Sequence, residues 1–207
     1  MEIKICGIRR DEDIAAVNKY KPDYIGFILS PGYRRSVTVQ TAAELCKKLD
    51  RGIKTVGVFV DALQDEVEKA ADTIGLFAVQ LHGKENDEYI ESLNVKCEIW
   101  KAVQVRNGAD IDDIKGVSRI LLDKYDEHRA GGTGKAFERS ELGRIKAKSP
   151  VILAGGLDSK NVLDRIKMFK PDGVDVSSSV ETDGFKDENK IEEFIYKVRA
   201  WENEQNR

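Results

Sequence analysis

The sequence contains little cysteine. Its three cysteines, Cys6, Cys46 and Cys97, are odd in number and widely spaced, and no Cys-x-x-Cys pair is present. This pattern argues against a disulfide framework and against a structural zinc site, so we expect three reduced thiols. Residues 1–7 lack the basic start and the apolar core of a secretory signal. We therefore expect a cytoplasmic protein.

Neither sign of charge predominates, and long apolar runs are missing. Thirty-seven acidic residues accompany 34 basic ones, which leaves a formal net charge of −3. This balance disfavours binding to nucleic acid through bulk charge. The longest apolar run, residues 55–60, falls far short of the roughly 20 residues that cross a bilayer. We expect neither a nucleic-acid nor a membrane partner. Because the chain has no overall positive charge, a site for an anion would have to be formed by the residues immediately around it.

Eight short apolar runs, separated by amphipathic stretches, are the main pattern that is present. They begin near residues 2, 24, 54, 77, 97, 118, 150 and 172, and their β-branched residues are typical of buried strands. Apolar residues between them recur at three- and four-residue spacings, as in helices. The alternation predicts a single domain over residues 1–207, an eight-stranded parallel β/α (TIM) barrel. An open doubly wound sheet is the alternative.

Two parts of the pattern are less regular. The fifth unit is the weakest, because residues 110–115 support only a short helix before the next strand. The last unit, residues 189–201, predicts a strong amphipathic helix. The polar residues 202–207 that follow it predict a frayed tail.

Polar side chains occupy the carboxyl ends of several predicted strands. Alternation along each strand turns Cys6, Gln80, His82, Asp123 and Asp175 toward the barrel interior. Catalytic groups of β/α barrels emerge at this end of the strands. Each residue has an ordinary structural explanation, since a lone cysteine is usually a small buried apolar residue and a strand-end aspartate often caps a helix. Their coincidence at one rim favours an active site.

Glycine- and serine-rich segments follow the last three strands. Gly155-Gly156 and Ser177-Ser178 fall in the loops after the seventh and eighth strands, where barrels frequently bind phosphate through backbone N–H groups. The alternative is that they form only strand-to-helix turns. Residues 130–135, which include Gly132, predict a flexible cover over the site. We expect a small phosphorylated molecule as the substrate.

Five motifs, taken together, carry a resemblance to a known family. They occur in order from one end of the sequence to the other: Lys4-Ile-Cys-Gly-Ile8, Gln80-Leu-His-Gly83, Leu121-Leu-Asp123 with Gly131-Gly-Thr-Gly134, Leu153-Ala-Gly-Gly-Leu157 and Gly173-Val-Asp-Val-Ser-Ser178. Through them the sequence resembles the phosphoribosylanthranilate isomerases of tryptophan biosynthesis. The resemblance implies a β/α barrel that converts N-(5-phosphoribosyl)anthranilate to the 1-deoxyribulose form by an Amadori rearrangement. It also implies that neither a cofactor nor a metal takes part.

The resemblance assigns roles by position. Cys6 would be the general base and Asp123 the general acid. The substrate-binding residues would be Arg35, His82, Asp175, Gly132, Gly155, Gly156, Ser177 and Ser178. An ordinary aspartate is ionised near neutral pH and an ordinary cysteine is protonated, so each starts in the wrong form for its role. We expect the inward-facing Lys4 to lower the pKa of Cys6.

The sequence departs from the family pattern at two places. The family usually has Ser-Ser-Gly-Val-Glu where this chain has Ser177-Ser-Ser-Val-Glu181, so Ser179 replaces a glycine in a phosphate loop. If this position needs a positive φ, the serine costs about 1 kcal/mol or more. The loop after the second strand also leaves a choice between Arg34 and Arg35 for the substrate carboxylate, and we favour Arg35.

Two other functions remain open at this point. One is a phosphosugar isomerase or lyase of another pathway on the same barrel, since the phosphate loops are common to many barrels. The other is a catalytically silent barrel that binds a phosphometabolite. Cys6 and Asp123 argue against the silent barrel, and Ser179 is the main feature in its favour. We expect a monomer or a homodimer.

Overall fold

Eight parallel strands close into a barrel in chain order. The computed structural model of the chain describes residues 1–105, 111–124 and 144–205. The closed order and parallel pairing confirm the β/α barrel and exclude the open sheet. The strands are β1 (Glu2–Cys6), β2 (Tyr24–Ile28), β3 (Lys54–Phe59), β4 (Ala78–Leu81), β5 (Glu98–Val105), β6 (Arg119–Lys124), β7 (Val151–Leu153) and β8 (Gly173–Val176).

Helices follow the strands and cover the outside of the barrel. Apolar residues on one side of each helix pack onto the outward-facing side chains of the strands. A 3₁₀ turn (Ser178–Val180) and a two-stranded hairpin, β9 (Glu181–Thr182) with β10 (Phe185–Lys186), follow β8. The helices are α1 (Asp11–Tyr20), α2 (Val39–Cys46), α3 (Gln64–Ile74), α4 (Asp87–Ser92), α5 (Val162–Phe169) and α6 (Glu188–Gln205).

The sequence predicts a short helix over residues 110–115 before β6, but the described residues 111–115 are not helical. Ile111 instead forms a bridge with Ile145. Its N–H donates to the carbonyl of Arg144 at 2.9 Å, and its carbonyl accepts from the N–H of Lys146 at 2.8 Å. Both backbone groups of Ile111 are therefore used in strand-like pairing, while its side chain is buried in the core. The prediction was wrong because the pairing partner lies more than 30 residues away.

The last helix extends further than the sequence predicts. α6 continues to Gln205, so residues 202–205 are helical rather than frayed. Glu202 pairs with the N-terminal ammonium of Met1 and accepts from Arg199 at 3.3 Å. Arg199 also donates to Asp23 at 2.6 Å. These long-range ion pairs tie the final turn to the start of β1 and β2.

Side chains fill the barrel interior below the carboxyl ends of the strands. Tyr24 and Trp100 meet edge-to-face with ring centroids 5.0 Å apart. Arg119 closes the amino-terminal end of the barrel by donating to both carboxylate oxygens of Glu2, at 2.7 and 3.0 Å. This ion pair lies at the end of the barrel opposite the carboxyl ends of the strands, where catalytic groups of β/α barrels emerge. In the three described ranges, no helix has the length and apolar character needed to span a membrane.

Candidate active site

A cleft lies at the carboxyl ends of the strands. Its walls contain every predicted site residue that the structure describes: Cys6, Arg35, His82, Asp123, Gly155, Gly156, Asp175, Ser177 and Ser178. Tyr33, Gln80 and Ser179 also line it. Gly132 and the predicted cover at residues 130–135 lie outside the described residues.

Lys4, Cys6 and Asp175 form a buried group on the adjacent strands β1 and β8. The Nζ atom of Lys4 lies 2.9 Å from Oδ2 of Asp175, and the Lys4 side chain is 1% exposed. A Cβ atom on Gly26 of β2 would lie 2.7 Å from Sγ of Cys6 and 3.1 Å from Nζ of Lys4. Only a glycine leaves room there for both side chains. The sequence predicted this inward placement from strand alternation alone.

Burial and the charges of this group together determine the pKa of the Cys6 thiol. Burial opposes the ammonium form of Lys4, but Asp175 and Cys6 outweigh that effect and raise the pKa of Lys4. Burial raises the pKa of the Cys6 thiol, and the neighbouring Lys4 ammonium offsets only part of the increase. Lys4 therefore acts in the expected direction. The net shift of the Cys6 pKa is nonetheless upward, because burial outweighs this one cation.

We predict that Lys4→Met moves the ascending limb of the kcat/KM pH profile to higher pH. A base must be deprotonated to act, so activity rises as pH rises through the pKa of Cys6. Because Lys4 lowers that pKa, its removal shifts the rise further into the alkaline range. The measurement is a pH profile of kcat/KM for both proteins, with circular dichroism to check folding. An unchanged limb in a folded variant would contradict this role of Lys4.

Asp123, His82 and Gln80 form a second polar group on the facing side of the cleft. Asp123 lies near the end of β6 and is 6% exposed. Its Oδ2 atom is 3.1 Å from Nε2 of His82, and Nδ1 of that ring is 3.0 Å from Nε2 of Gln80. The predicted acid is thus hydrogen-bonded to a residue from another strand end.

A buried ion pair supports the His82–Gly83 turn. Nζ of Lys101 donates to Oε2 of Glu85 at 2.6 Å and to the carbonyl of Gly83 at 2.7 Å. Glu85 in turn accepts from the N–H of Gly83 at 2.9 Å and from the N–H of Asp61 at 2.9 Å. Sequence reasoning missed this pair, although a lysine within the apolar strand β5 was a signal that it needs a buried partner.

The loops after β7 and β8 form one wall of the cleft. Gly155 and Gly156 have φ angles of +79° and +66°, which favour glycine. Ser179 has a negative φ, so the strain that the sequence suggested does not arise. Its hydroxyl instead donates to the carbonyl of Leu157 and joins the two loops. The serine in place of the family's glycine is therefore compatible with the loop.

We predict that Gly155→Ala impairs both folding stability and substrate binding. A Cβ atom there would lie 2.6 Å from the Lys124 backbone nitrogen and 2.8 Å from Oδ1 of Asp123. Gly75→Ala is the matched control, since Gly75 has a φ of +72° and nothing within 4 Å of a Cβ atom. Each variant carries about 1–3 kcal/mol of backbone strain, and only Gly155→Ala adds a steric clash. Urea unfolding and KM measure the two effects. An equal loss of stability with an unchanged KM would refute the prediction.

Arg35 lies at the mouth of the cleft and contacts Glu181. Its Nε and Nη2 atoms donate to the two carboxylate oxygens at 2.5 and 3.1 Å. The Arg35 side chain is 14% exposed and lines the cleft, whereas the Arg34 side chain is 57% exposed and binds Glu181 from outside. Lys186 donates to Glu181 at 2.8 Å. Partial burial raises the pKa of Glu181, but hydrogen bonds and charge from Arg35 and Lys186 outweigh it and lower that pKa.

Sequence reasoning assigned no role to Glu181 or Lys186. Both are buried side chains, and Lys186 also donates to the carbonyl of Ser177 at 2.8 Å. Burial lowers the pKa of Lys186 despite the neighbouring carboxylate. Outside the undescribed segments, no cluster of three or more His, Cys, Asp and Glu side chains is arranged to hold a metal ion.

Comparison with known proteins agrees with this geometry. The family profile for N-(5'-phosphoribosyl)anthranilate (PRA) isomerase matches residues 3–197. The chain belongs to this family. The N-(5'-phosphoribosyl)anthranilate isomerase of Clostridium acetobutylicum is 47% identical over 205 residues, covering 97% of this chain and 99% of the relative. The family's enzyme is an aldose-ketose isomerase of tryptophan biosynthesis.

Solved structures of the isomerase family share the barrel. The crystal structure of the Thermus thermophilus enzyme has a TM-score of 0.84 at 29% identity and covers 97% of this chain and 100% of its own. A second isomerase was crystallised with reduced 1-(o-carboxyphenylamino)-1-deoxyribulose 5-phosphate, at a TM-score of 0.76 and 27% identity, with 97% and 99% of the chains covered. Family, fold and activity therefore agree with the resemblance found in the sequence.

Proposed function

We propose that this chain isomerises N-(5'-phosphoribosyl)anthranilate with Cys6 as the general base and Asp123 as the general acid. The observation that supports this most directly is that both side chains line one cleft from different strands, β1 and β6. Between them, on the shorter way around the barrel, stand β7 and β8, whose loops carry Gly155-Gly156 and Ser177-Ser178. A substrate held by those loops is then within reach of both groups.

The reaction divides into three stages, which are ring opening, removal of the C2 proton and tautomerisation to the ketone. Asp123 donates a proton to the furanose oxygen while the C1–O bond breaks, and the anilino nitrogen forms a C=N bond to C1. The Cys6 thiolate then removes the proton from C2. The electron pair of that C–H bond forms the C1=C2 double bond, and the π pair of the C=N bond returns to the anilino nitrogen, which gives an enolamine. The enolamine gains a proton at C1 and loses one from the C2 hydroxyl, which gives the ketone. No hydride moves, and every step is a proton transfer.

The charged groups of the cleft suit the two ends of this substrate. Backbone N–H groups of the two loops, with the Ser177 and Ser178 hydroxyls, would hold the phosphate. The guanidinium of Arg35 would hold the anthranilate carboxylate as a bidentate pair. Glu181 already binds Arg35 in the same manner, and so it holds the guanidinium in place at the mouth of the cleft. Asp175 and His82 would line the sugar between the two ends.

We predict that Arg35→Met raises KM about 10- to 100-fold, because a hydrogen bond to a charged group contributes about 1.5–3 kcal/mol. Arg34→Met is the matched control, since Arg34 binds the same Glu181 but does not line the cleft. Steady-state kinetics of both variants measure the difference. The same comparison with a substrate made from aniline, which has no carboxylate, should show no penalty for Arg35→Met. A larger KM increase for Arg34→Met would assign the carboxylate to Arg34.

Comparing substrates tests the reaction itself. The proposal expects conversion of freshly made phosphoribosylanthranilate, followed by the decay of its fluorescence, and no ketose from ribose 5-phosphate. Conversion of ribose 5-phosphate alone would indicate a sugar-phosphate isomerase on the same barrel. Binding of both molecules without conversion of either would indicate the silent barrel.

The proposal also covers the protein's location, its binding partner and its oligomeric state. A thiol base requires a reducing compartment, so the proposal includes a cytoplasmic location. The partner is a small phosphorylated molecule, and the absence of a nucleic-acid partner stays a prediction. A monomer or a homodimer is expected, and light scattering after size-exclusion chromatography distinguishes them.

A further inference from the structure

Gln80 is a buried polar residue of the cleft that has no role in the reaction described so far. It lies on β4, its side chain points into the barrel, and it is 1% exposed. Its Nε2 atom is 3.0 Å from Nδ1 of His82. Its Oε1 atom is buried and has no hydrogen-bond partner among the described residues. A buried amide whose nitrogen contacts a histidine while its oxygen has no partner among the described residues needs an explanation.

The bonds of His82 determine which of its ring nitrogens carries the proton. A neutral imidazole has one N–H donor and one acceptor nitrogen. If Gln80 donates its amide N–H to Nδ1, the proton lies on Nε2 and points to Oδ2 of Asp123, 3.1 Å away. An ionised carboxylate only accepts hydrogen bonds, so this polarity satisfies both contacts at once. In the other tautomer, Nδ1 of His82 carries the proton. Asp123 would then have to donate to Nε2, and the Gln80 amide would have to rotate so that its oxygen faces Nδ1.

We propose that Gln80 is a positioning residue that holds His82 in its Nε2–H form and so keeps the acid proton of Asp123 on the oxygen that faces the substrate. The inference rests on the proposed role of Asp123 as the general acid. With Oδ2 accepting from His82, the transferable proton is confined to Oδ1. In the opposite tautomer, the lone pair of Nε2 would accept that proton and direct it away from the cleft.

The surroundings of Oδ1 agree with this assignment. Gly155 lies in the loop after β7, and a Cβ atom there would lie 2.8 Å from Oδ1 of Asp123. A side chain at this position would therefore crowd Oδ1, and the glycine avoids that contact. Once the proton has moved to the substrate, the N–H of His82 stabilises the carboxylate that remains.

Nitrogen-15 NMR of the whole protein tests the tautomer independently of activity. The chain has two histidines, so His128→Gln leaves only the His82 signals. We expect Nε2 of His82 to carry the proton and Nδ1 to be unprotonated at the pH of the assay. A ring protonated on Nδ1 would overturn the proposal.

Gln80→Met tests the consequence for catalysis, since methionine has a similar length and no N–H donor. We expect a larger fraction of His82 protonated on Nδ1 and a fall in kcat of about 10- to 100-fold, with KM within twofold of wild type. Gln40→Met on the exposed face of α2 is the matched control. A folded Gln80→Met protein with wild-type kcat, or with an unchanged His82 spectrum, would overturn the proposal. If this variant does not fold, the protonation of His82 in the wild-type spectrum is the test. Full activity in Asp123→Asn would instead overturn the proposed acid and leave the tautomer result intact.

Discussion

Cys6→Ser lowers kcat about 10²- to 10⁴-fold, which is the range that a positioned general base contributes. Serine has nearly the same shape as cysteine, so the buried position next to Gly26 accepts it. A serine hydroxyl ionises far less readily than a thiol, and burial disfavours its anion further. The variant therefore loses the base while the cleft remains. Wild-type activity rises with pH in the alkaline range, because burial raises the pKa of the Cys6 thiol above its ordinary value.

The measurement is a single-turnover rate, which separates the chemical step from product release. Cys46→Ser and Cys97→Ser are matched controls, since both thiols are partly exposed and neither lines the cleft. We expect wild-type rates from both controls. A control that loses as much activity as Cys6→Ser would show that serine substitution damages the fold and would remove the argument for a base at Cys6.

Asp123→Asn also lowers kcat about 10²- to 10⁴-fold, because the amide keeps the shape of the side chain but supplies no acidic proton. The amide oxygen of asparagine still accepts from Nε2 of His82, so the local structure is preserved. KM changes little, since the phosphate loops and Arg35 are untouched. The loss is confined to the step in which the furanose ring opens.

Asp65→Asn is the control for this substitution, because Asp65 lies exposed in the first turn of α3. A direct measurement is the rate of ring opening, followed by rapid mixing under single-turnover conditions. If Asp123→Asn opens the ring at the wild-type rate, another group is the acid, and His82 is the next candidate because it lines the same wall.

The barrel and the residues at its rim are predictable from the sequence for a physical reason. Each buried strand is a short apolar run, and side chains alternate between its two faces. This alternation places Cys6, Asp123 and Asp175 inside the barrel without any knowledge of their partners. It also places Gln80 and His82 on the same rim. The structure confirms all five positions.

The partners of these residues depend on contacts between distant parts of the chain. Glu181 reaches Arg35 across 146 residues, and no local pattern signals that pair. The bridge between Ile111 and Ile145 likewise replaces a helix that the local spacing favours. The net direction of the Cys6 pKa shift also depends on the extent of burial, which the sequence does not give, although it identifies the neighbouring cation.

The fluorescence decay of freshly made phosphoribosylanthranilate, with wild type, Cys6→Ser and Asp123→Asn compared in one assay, tests the central claim most directly. Circular dichroism establishes that all three are folded. We predict rapid decay with wild type and losses of at least about 100-fold with each variant, as expected when a general acid or base is removed. Near-wild-type decay with either folded variant would contradict the assignment of that residue. No decay with folded wild type would contradict the account as a whole.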